Sequence, residues 1–244
     1  MSPRRTFATA GRVLKQLRHD PRTIGLILLV PSILMIILKY VFNDASASFQ
    51  QLAPMILGIF PFAVMFVVTS IATLRERTSG TLERLMTMPM AKLDLLLGYG
   101  LAFALVAVAQ GLLAGAITLG WLGVTVEGGA VHMLTVAALS GLVGMTLGLF
   151  SSAFARSEFQ AVQFLPAFVF PQLLMCGLFV PRAQMAQLLR WISDVMPLTY
   201  VVDAMKQVTL YSAWTGQLVR DLFVMAAFVV GALILGAATL KRTR

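Results

Sequence analysis

Apolar residues dominate this chain in six long windows that contain no Asp, Glu, Lys or Arg. Charged residues collect between the windows and near the two chain ends. A helix needs about 20 apolar residues to cross the hydrocarbon of a bilayer, and all windows but the first reach that length unaided. The first reaches it if Lys39 extends its ammonium group to the interface. The windows are 23–38, 45–74, 95–126, 128–155, 159–181 and 222–240.

This pattern predicts an all-α membrane protein with six transmembrane helices. The composition agrees, because 59% of the residues are hydrophobic and only 12% are charged, whereas soluble domains carry about 25% charged residues. We therefore expect a single membrane domain over residues 1–244. The lone cysteine, Cys176, lies in an apolar window, so we expect a buried thiol with a packing role.

The net charge of +9 would suggest a nucleic-acid partner in a soluble protein. Here it follows the membrane pattern, because 14 of the 19 Lys and Arg residues fall on one side if the N-terminus is cytoplasmic. This is the positive-inside distribution. It places both termini in the cytoplasm and removes the reason to expect nucleic acid. A cleaved signal peptide is the alternative for the first window, although its basic preface is long for one.

Three polar or amphipathic stretches flank the windows. Residues 4–19 have apolar positions at helical spacing among basic ones, which predicts a helix lying in the interface or, alternatively, a solvated basic tail. Residues 181–218 combine apolar stripes with charges. They predict two short helices that enter the outer leaflet and meet at Pro197, or else a wholly external pair. The pairs Gly111/Gly115 and Gly144/Gly148 predict close helix packing, more readily within one subunit than between subunits.

The third stretch, residues 75–94, is the long polar segment of the predicted cytoplasmic side. Thr81 can cap a short helix whose apolar residues would enter a groove on a partner protein, while nearby acidic and basic groups offer ion pairs. Taken alone, the segment could equally be a charged loop. The sequence contains no GxxxxGK[ST] phosphate loop, no metal-ligand spacing and no charge deep inside a window. Energy for any work must therefore come from another protein.

Two motifs resemble the type-2 ABC-transporter permease family. The first is Glu76-Arg77 followed by Gly80-Thr81-Leu82-Glu83-Arg84-Leu85 and Thr87-Met88-Pro89. The second runs from Gly177-Leu178-Phe179-Val180-Pro181 to Met196-Pro197-Leu198-Thr199-Tyr200-Val201-Val202-Asp203-Ala204. Both fall where the six-span plan requires them. The resemblance covers almost the whole chain and is closest to bacterial exporters of drugs and lipids.

The resemblance implies a set of roles. Residues 4–19 would be an elbow helix, residues 75–94 a coupling segment that docks on a separate ATPase subunit, and residues 181–218 re-entrant helices that close the outer end. ATP and magnesium would be bound by that ATPase, and a second permease subunit, identical or related, would complete the pathway. ATPase coupling would involve Glu76, Gly80, Thr81, Glu83, Arg84, Leu85 and Pro89. The outer gate would involve Pro181, Pro197, Tyr200 and Asp203, and the pathway lining Met65, Phe66, Phe164, Phe168 and Met175.

We therefore expect a multi-pass protein of a prokaryotic plasma membrane that exports a hydrophobic or amphipathic compound and is not an enzyme by itself. Two alternatives stay open from the sequence. One is an ion-coupled carrier, and the other is a membrane scaffold or immunity protein that transports nothing. A neighbouring gene for a P-loop ATPase would separate both from an ATP-driven permease.

Overall fold

The structure, a computed structural model, describes residues 3–43, 45–80 and 92–239, and every regular element within them is helical. The first helices are α1 (Pro3–Arg18), α2 (Pro21–Val41), α3 (Ser46–Thr78), α4 (Lys92–Ala116) and α5 (Gly129–Ser152). They are followed by α6 (Glu158–Phe164), α7 (Phe170–Met175), α8 (Gln187–Asp194), α9 (Pro197–Leu210) and α10 (Gly216–Thr239). A π-helical turn, Ile117–Trp121, extends α4.

Among the described residues, five helices are long and apolar enough to cross a membrane, and each coincides with a predicted span. They are Pro21–Val41, Ser46–Thr78, Leu97–Trp121, Gly129–Ser152 and Gly216–Ala238. The remaining predicted span, about 159–179, is divided into α6, a π-helical turn at Leu165–Val169, and α7. Pro166 and Pro171 lie at the starts of the last two pieces, and proline removes a backbone donor from the helical ladder. A sixth crossing therefore stays a prediction.

The bundle has two ends, which we name by their residues. The basic end carries Arg12, Arg75, Arg77 and Arg156, together with the start of α2 and the finish of α3. The far end carries α8 and α9 and the start of α10. Gln50 lies at the start of α3, the opposite end of that helix from Arg75 and Arg77. Its side-chain amide donates to the Gly123 carbonyl and accepts from the Thr125 amide, and so holds the loop after α4.

The core is the packing of α3 against α5, which depends on small residues. A Cβ on Gly144 would collide with the Phe62 backbone, and one on Gly148 would collide with Thr69 and the Phe66 carbonyl. The hydroxyl of Ser140 donates to the Gly58 carbonyl at 2.5 Å, and Thr69 donates to the Met145 carbonyl at 3.1 Å. The prediction that these glycines pack helices within one subunit is confirmed.

Helix α1 packs against α4, with Ala10 and Val13 buried and Thr9 pressed on Gly98. The predicted helix over residues 4–19 is thus present, and part of its apolar face is covered by protein, whereas Phe7 is exposed.

At the far end, α9 buries most of one face, including Val201 and Met205, which lie against Gly58 of α3. The two helices predicted within 181–218 are present as α8 and α9. Their depth in a membrane stays a prediction.

Candidate functional site

Glu76 anchors the start of the polar segment of residues 75–94. This carboxylate is buried near the finish of α3 and accepts hydrogen bonds from both terminal nitrogens of Arg12, at 3.4 and 3.2 Å. Arg12 also donates to the hydroxyl of Tyr99 at 2.5 Å and lies over its ring, 5.5 Å from the centroid. Since Arg12 belongs to α1 and Tyr99 to α4, one network joins three helices.

The two arginines beside Glu76 bind two further helices. Arg75 forms a bidentate pair with Glu158 at the start of α6, with distances of 2.7 and 2.9 Å. A two-point contact of this kind fixes orientation as well as distance. Arg77 donates to the carbonyl of Ser152, the last residue of α5. The finish of α3 is therefore held to α1, α4, α5 and α6 by side chains within a single helical turn.

The helix ends at a turn in which Gly80 has φ of +71°, a left-handed conformation that glycine adopts readily. The other predicted coupling residues lie outside the described residues; they are Thr81, Glu83, Arg84, Leu85 and Pro89. The structure thus places the root of the predicted coupling segment, at Glu76 and Gly80, and resumes at Lys92. Sequence reasoning singled out Glu76 but missed its partners, because Arg12 and Tyr99 lie 64 and 23 positions away.

At the far end, Arg182 holds α8 and α9 together. Its guanidinium pairs with Asp194 and with Asp203, the latter at 3.1 Å, and its Nε donates to Ser193 at 3.1 Å. Lys206 lies 3.8 Å from the second oxygen of Asp203 and donates to the Gly177 carbonyl at 2.8 Å. Arg182 was not among the predicted gate residues, although its position directly after Pro181 offered a signal.

The predicted gate residues surround this ion cluster. Pro181 precedes the 3₁₀ turn that carries Arg182, Pro197 begins α9, and Tyr200 donates to the Asp194 carbonyl at 2.6 Å. The structure therefore brings Pro181, Tyr200 and Asp203 together around Arg182. Asp221, which directly precedes the last uncharged window, lies in the second turn of α10 and is fully buried beside Arg220.

The predicted lining residues divide into two groups. Met65 and Phe66 of α3 are buried inside the subunit. Phe164 and Phe168 make an edge-to-face contact, with centroids 5.9 Å apart, and Phe168 is 53% exposed. Met175 is partly buried at the finish of α7. Helical periodicity does not say which face of a helix is central, and for this reason the sequence could not separate the two groups.

Comparisons with known proteins show the family of the chain. The family described as ABC-2 type transporter matches residues 4–210. The Escherichia coli (strain K12) protein "Inner membrane transport permease YhhJ" is 30% identical over 167 residues, which are 68% of this chain and 44% of that protein. The "Probable multidrug ABC transporter permease YbhS" of the same strain is 25% identical over 207 residues, 84% of this chain and 54% of that protein.

A eukaryotic relative is also similar. "ABC transporter G family member 20" of Dictyostelium discoideum is 26% identical over 168 residues, covering 69% of this chain and 23% of that protein. The chain spans between about a quarter and about half the length of these relatives. Because the family match covers most of its length, the chain belongs to the ABC-2 type transporter family. It is a multi-pass membrane subunit of an ABC transporter, without a nucleotide-binding motif in its sequence.

Proposed function

We propose that this chain is the permease of an ATP-driven exporter that moves a hydrophobic or amphipathic compound, drug-like or lipid-like, out of a prokaryotic cell. A separate ATPase subunit would bind ATP and Mg²⁺. A second permease, identical or related, would pair with this one in the plasma membrane. Family membership supports the ATPase partner, and a relative named as a probable multidrug permease supports the class of compound.

The observation that carries the mechanism is the anchoring of Glu76, Arg75 and Arg77. The segment that begins at Gly80 is the proposed contact with the ATPase. Its root is tied to α1, α5 and α6 by these three side chains, and to α4 through the hydrogen bond from Arg12 to Tyr99. A push on the segment would therefore move several helices together instead of bending one. Closure of two ATPase subunits on ATP would supply that push, and the bundle would open at its far end.

The proposed membrane topology places the basic end in the cytoplasm, with both termini there. Helices α6 and α7 and the π-helical turn between them would form a broken fifth span, giving six crossings in all. The charge distribution supports this orientation, since the basic end carries most of the arginines. Breaks within a spanning helix are tolerated where protein or a water-filled cavity covers the freed backbone groups.

The outer gate would be the cluster around Arg182, with Pro181, Pro197, Tyr200 and Asp203 shaping it. Because Arg182 links α8 to α9, the two helices would move as one unit when the gate opens. Phe168 is exposed and can face a pathway between two permeases. Phe164 and Met175 would lie beside it, whereas Met65 and Phe66, which are buried inside the subunit, would reach the pathway only if the bundle opened around them.

Isolation of the native complex tests the partner directly. The chain is captured from its own membranes in mild detergent, without a tag on any neighbour, and bound proteins are assayed for ATP hydrolysis. We expect a P-loop ATPase to accompany the chain, and we expect Glu83→Arg to weaken this association without abolishing it. The control is Glu127→Arg, the same charge reversal in an exposed loop at the far end, which should retain the ATPase. Capture of no ATPase by the unaltered chain would contradict the proposal, and an ionophore-sensitive flux without ATP would favour an ion-coupled carrier.

A further inference from the structure

A cavity of about 480 Å³ opens between α1, α2, α3 and α4 on the basic half of the bundle. This volume lies within the range of about 300–1,000 Å³ that is usual for small-molecule sites. Its deeper wall is apolar and includes Val30, Val64, Val67 and Phe103. Along α3 the lining runs from Ala63 to Glu76, which is about 20 Å at 1.5 Å per residue. The cavity is therefore long enough for an extended apolar molecule.

The polar lining groups are confined to the end of the cavity near α1. They are Gln16, Asp20, Thr23, Arg75, Glu76 and Tyr99, whose hydroxyl accepts from Arg12. Leu26 lines the cavity and is 61% exposed, so the cavity opens to the outer surface of the bundle beside α2. An apolar body with a polar group at one end matches this distribution, because each part would meet surroundings of its own polarity.

The charges at that end are unequally matched. Glu76 is paired with Arg12, and Arg75 is paired with Glu158. Asp20, in contrast, accepts hydrogen bonds from neutral donors of Thr23, at 3.2 Å from the amide and 2.6 Å from the hydroxyl. These bonds, together with a smaller contribution from the positive charge of Arg75, lower the pKa of the Asp20 carboxyl, which is therefore charged at neutral pH. The lining itself therefore carries two carboxylates, of Asp20 and Glu76, and one guanidinium group, of Arg75, so its own charge is negative.

The exposed cations nearby lie outside the cavity. Lys15, Arg18 and Arg22 are exposed to solvent and are not part of the lining. Exposed charges are screened by salt beyond about 8 Å, whereas a charge in contact with a bound group acts on it directly. Among the described residues, Asp20 is the charged lining group that forms no ion pair within 4.0 Å; Arg75 attracts it from a greater distance but is itself paired with Glu158, so the Asp20 carboxylate is the group open to a further cation.

We propose that this cavity binds an amphiphile that has an apolar body and a cationic head, with the head held by the carboxylate of Asp20. This inference deepens the proposed function, because it names the class of compound that the exporter would collect from the inner leaflet. It rests on the proposed function for the fate of that compound but not for its binding.

Protection of an introduced thiol tests the site without nucleotide or ATPase. Cys176 is replaced by Ser, and Val67→Cys or Val64→Cys places a reporter in the cavity wall of the full chain in phosphatidylcholine vesicles. Maleimide labelling is timed with three probes that share one fluorophore: diphenylhexatriene, its trimethylammonium derivative and its propionic acid. Phe154→Cys, which is exposed at the basic end outside the cavity lining, is the control thiol.

We expect the trimethylammonium probe to slow labelling at positions 67 and 64 at the lowest concentration, and to leave position 154 unaffected. Asp20→Asn should weaken protection by this probe about three- to fivefold, as for one partly exposed charge pair. It should leave the neutral probe unchanged, because asparagine caps a helix as well as aspartate does.

Four results would overturn the inference: equal or better protection by the anionic or neutral probe, loss of protection by all three probes in Asp20→Asn, no protection by any probe, or no labelling of either cavity thiol. Because the assay contains no ATPase, such a failure would leave the proposed export function standing. Loss of the ATPase from the native complex would, conversely, leave the binding result intact.

Discussion

Replacing Gly144 with alanine tests the packing of α3 against α5 at its closest point. The added methyl carbon would lie 2.8 Å from both the carbonyl carbon and the Cα of Phe62, and nearer still to the carbonyl oxygen. Carbon atoms in favourable contact are separated by about 3.5–4.0 Å. The two helices must therefore part by about 1 Å, and backbone atoms, unlike the tip of a long side chain, cannot rotate away.

Overpacking of a close-packed core costs about 1–3 kcal/mol. Alanine also favours a helix over glycine by about 1 kcal/mol, so the two effects partly cancel in a single variant. Gly231→Ala isolates the second effect, because a Cβ at Gly231 of α10 meets nothing within 4 Å. We expect Gly144→Ala to be less stable than Gly231→Ala by about 2 kcal/mol, or about 4–8 °C in Tm for a chain of this size.

The assay is the fraction of protein that stays monodisperse in detergent after heating, measured for both variants and the unaltered chain. Gly231→Ala should equal or exceed the unaltered chain, and Gly144→Ala should fall below both. Equal midpoints for the two variants would refute the close approach of α3 and α5 at Phe62.

Two further predictions concern the basic end and the topology. Arg12→Glu should lower stability by about 1–2 kcal/mol, because the new carboxylate would face Glu76, whose side chain is 7% exposed. The double exchange Arg12→Glu with Glu76→Arg should recover at least half of this loss in the same heating assay. No recovery would show that the pair is not the cause. Reporter fusions should report the cytoplasm at Ser79 and Ser157, and the exterior at Ser46, Gly128 and Ser212. A cytoplasmic signal at Ser212 would contradict the placement of α8 and α9.

Much of the fold could be predicted because each membrane-length helix contains a long window without charged residues. The start of α2 was placed too late, because the first uncharged window begins at residue 23, whereas the helix begins at Pro21 with Asp20 as its N-cap. The division of residues 158–175 was foreseeable from Pro166 and Pro171, but its form was not, because a π-helical turn depends on what the neighbouring helices can satisfy.

The candidate site was harder to predict. The motif identified Glu76 and Gly80, but the joining of Glu76 to Arg12 and Tyr99 is a contact between distant parts of the chain that no local pattern encodes. The position of Asp20 in the cavity could not be predicted from the sequence either. Its sequence signature is that of an N-cap, and only the packing of α1, α2 and α3 places its carboxylate at the mouth of an apolar cavity.

The central claim is that an ATPase drives this subunit through residues 75–94, and ATP hydrolysis by the isolated complex tests it most directly. The complex is reconstituted in vesicles, and hydrolysis and uptake of an amphiphile are measured together for the unaltered chain, Glu83→Arg and Glu127→Arg. The account predicts that Glu83→Arg inserts normally but loses both amphiphile-stimulated hydrolysis and transport, while Glu127→Arg keeps them. Undiminished transport by Glu83→Arg would contradict the coupling role assigned to this segment.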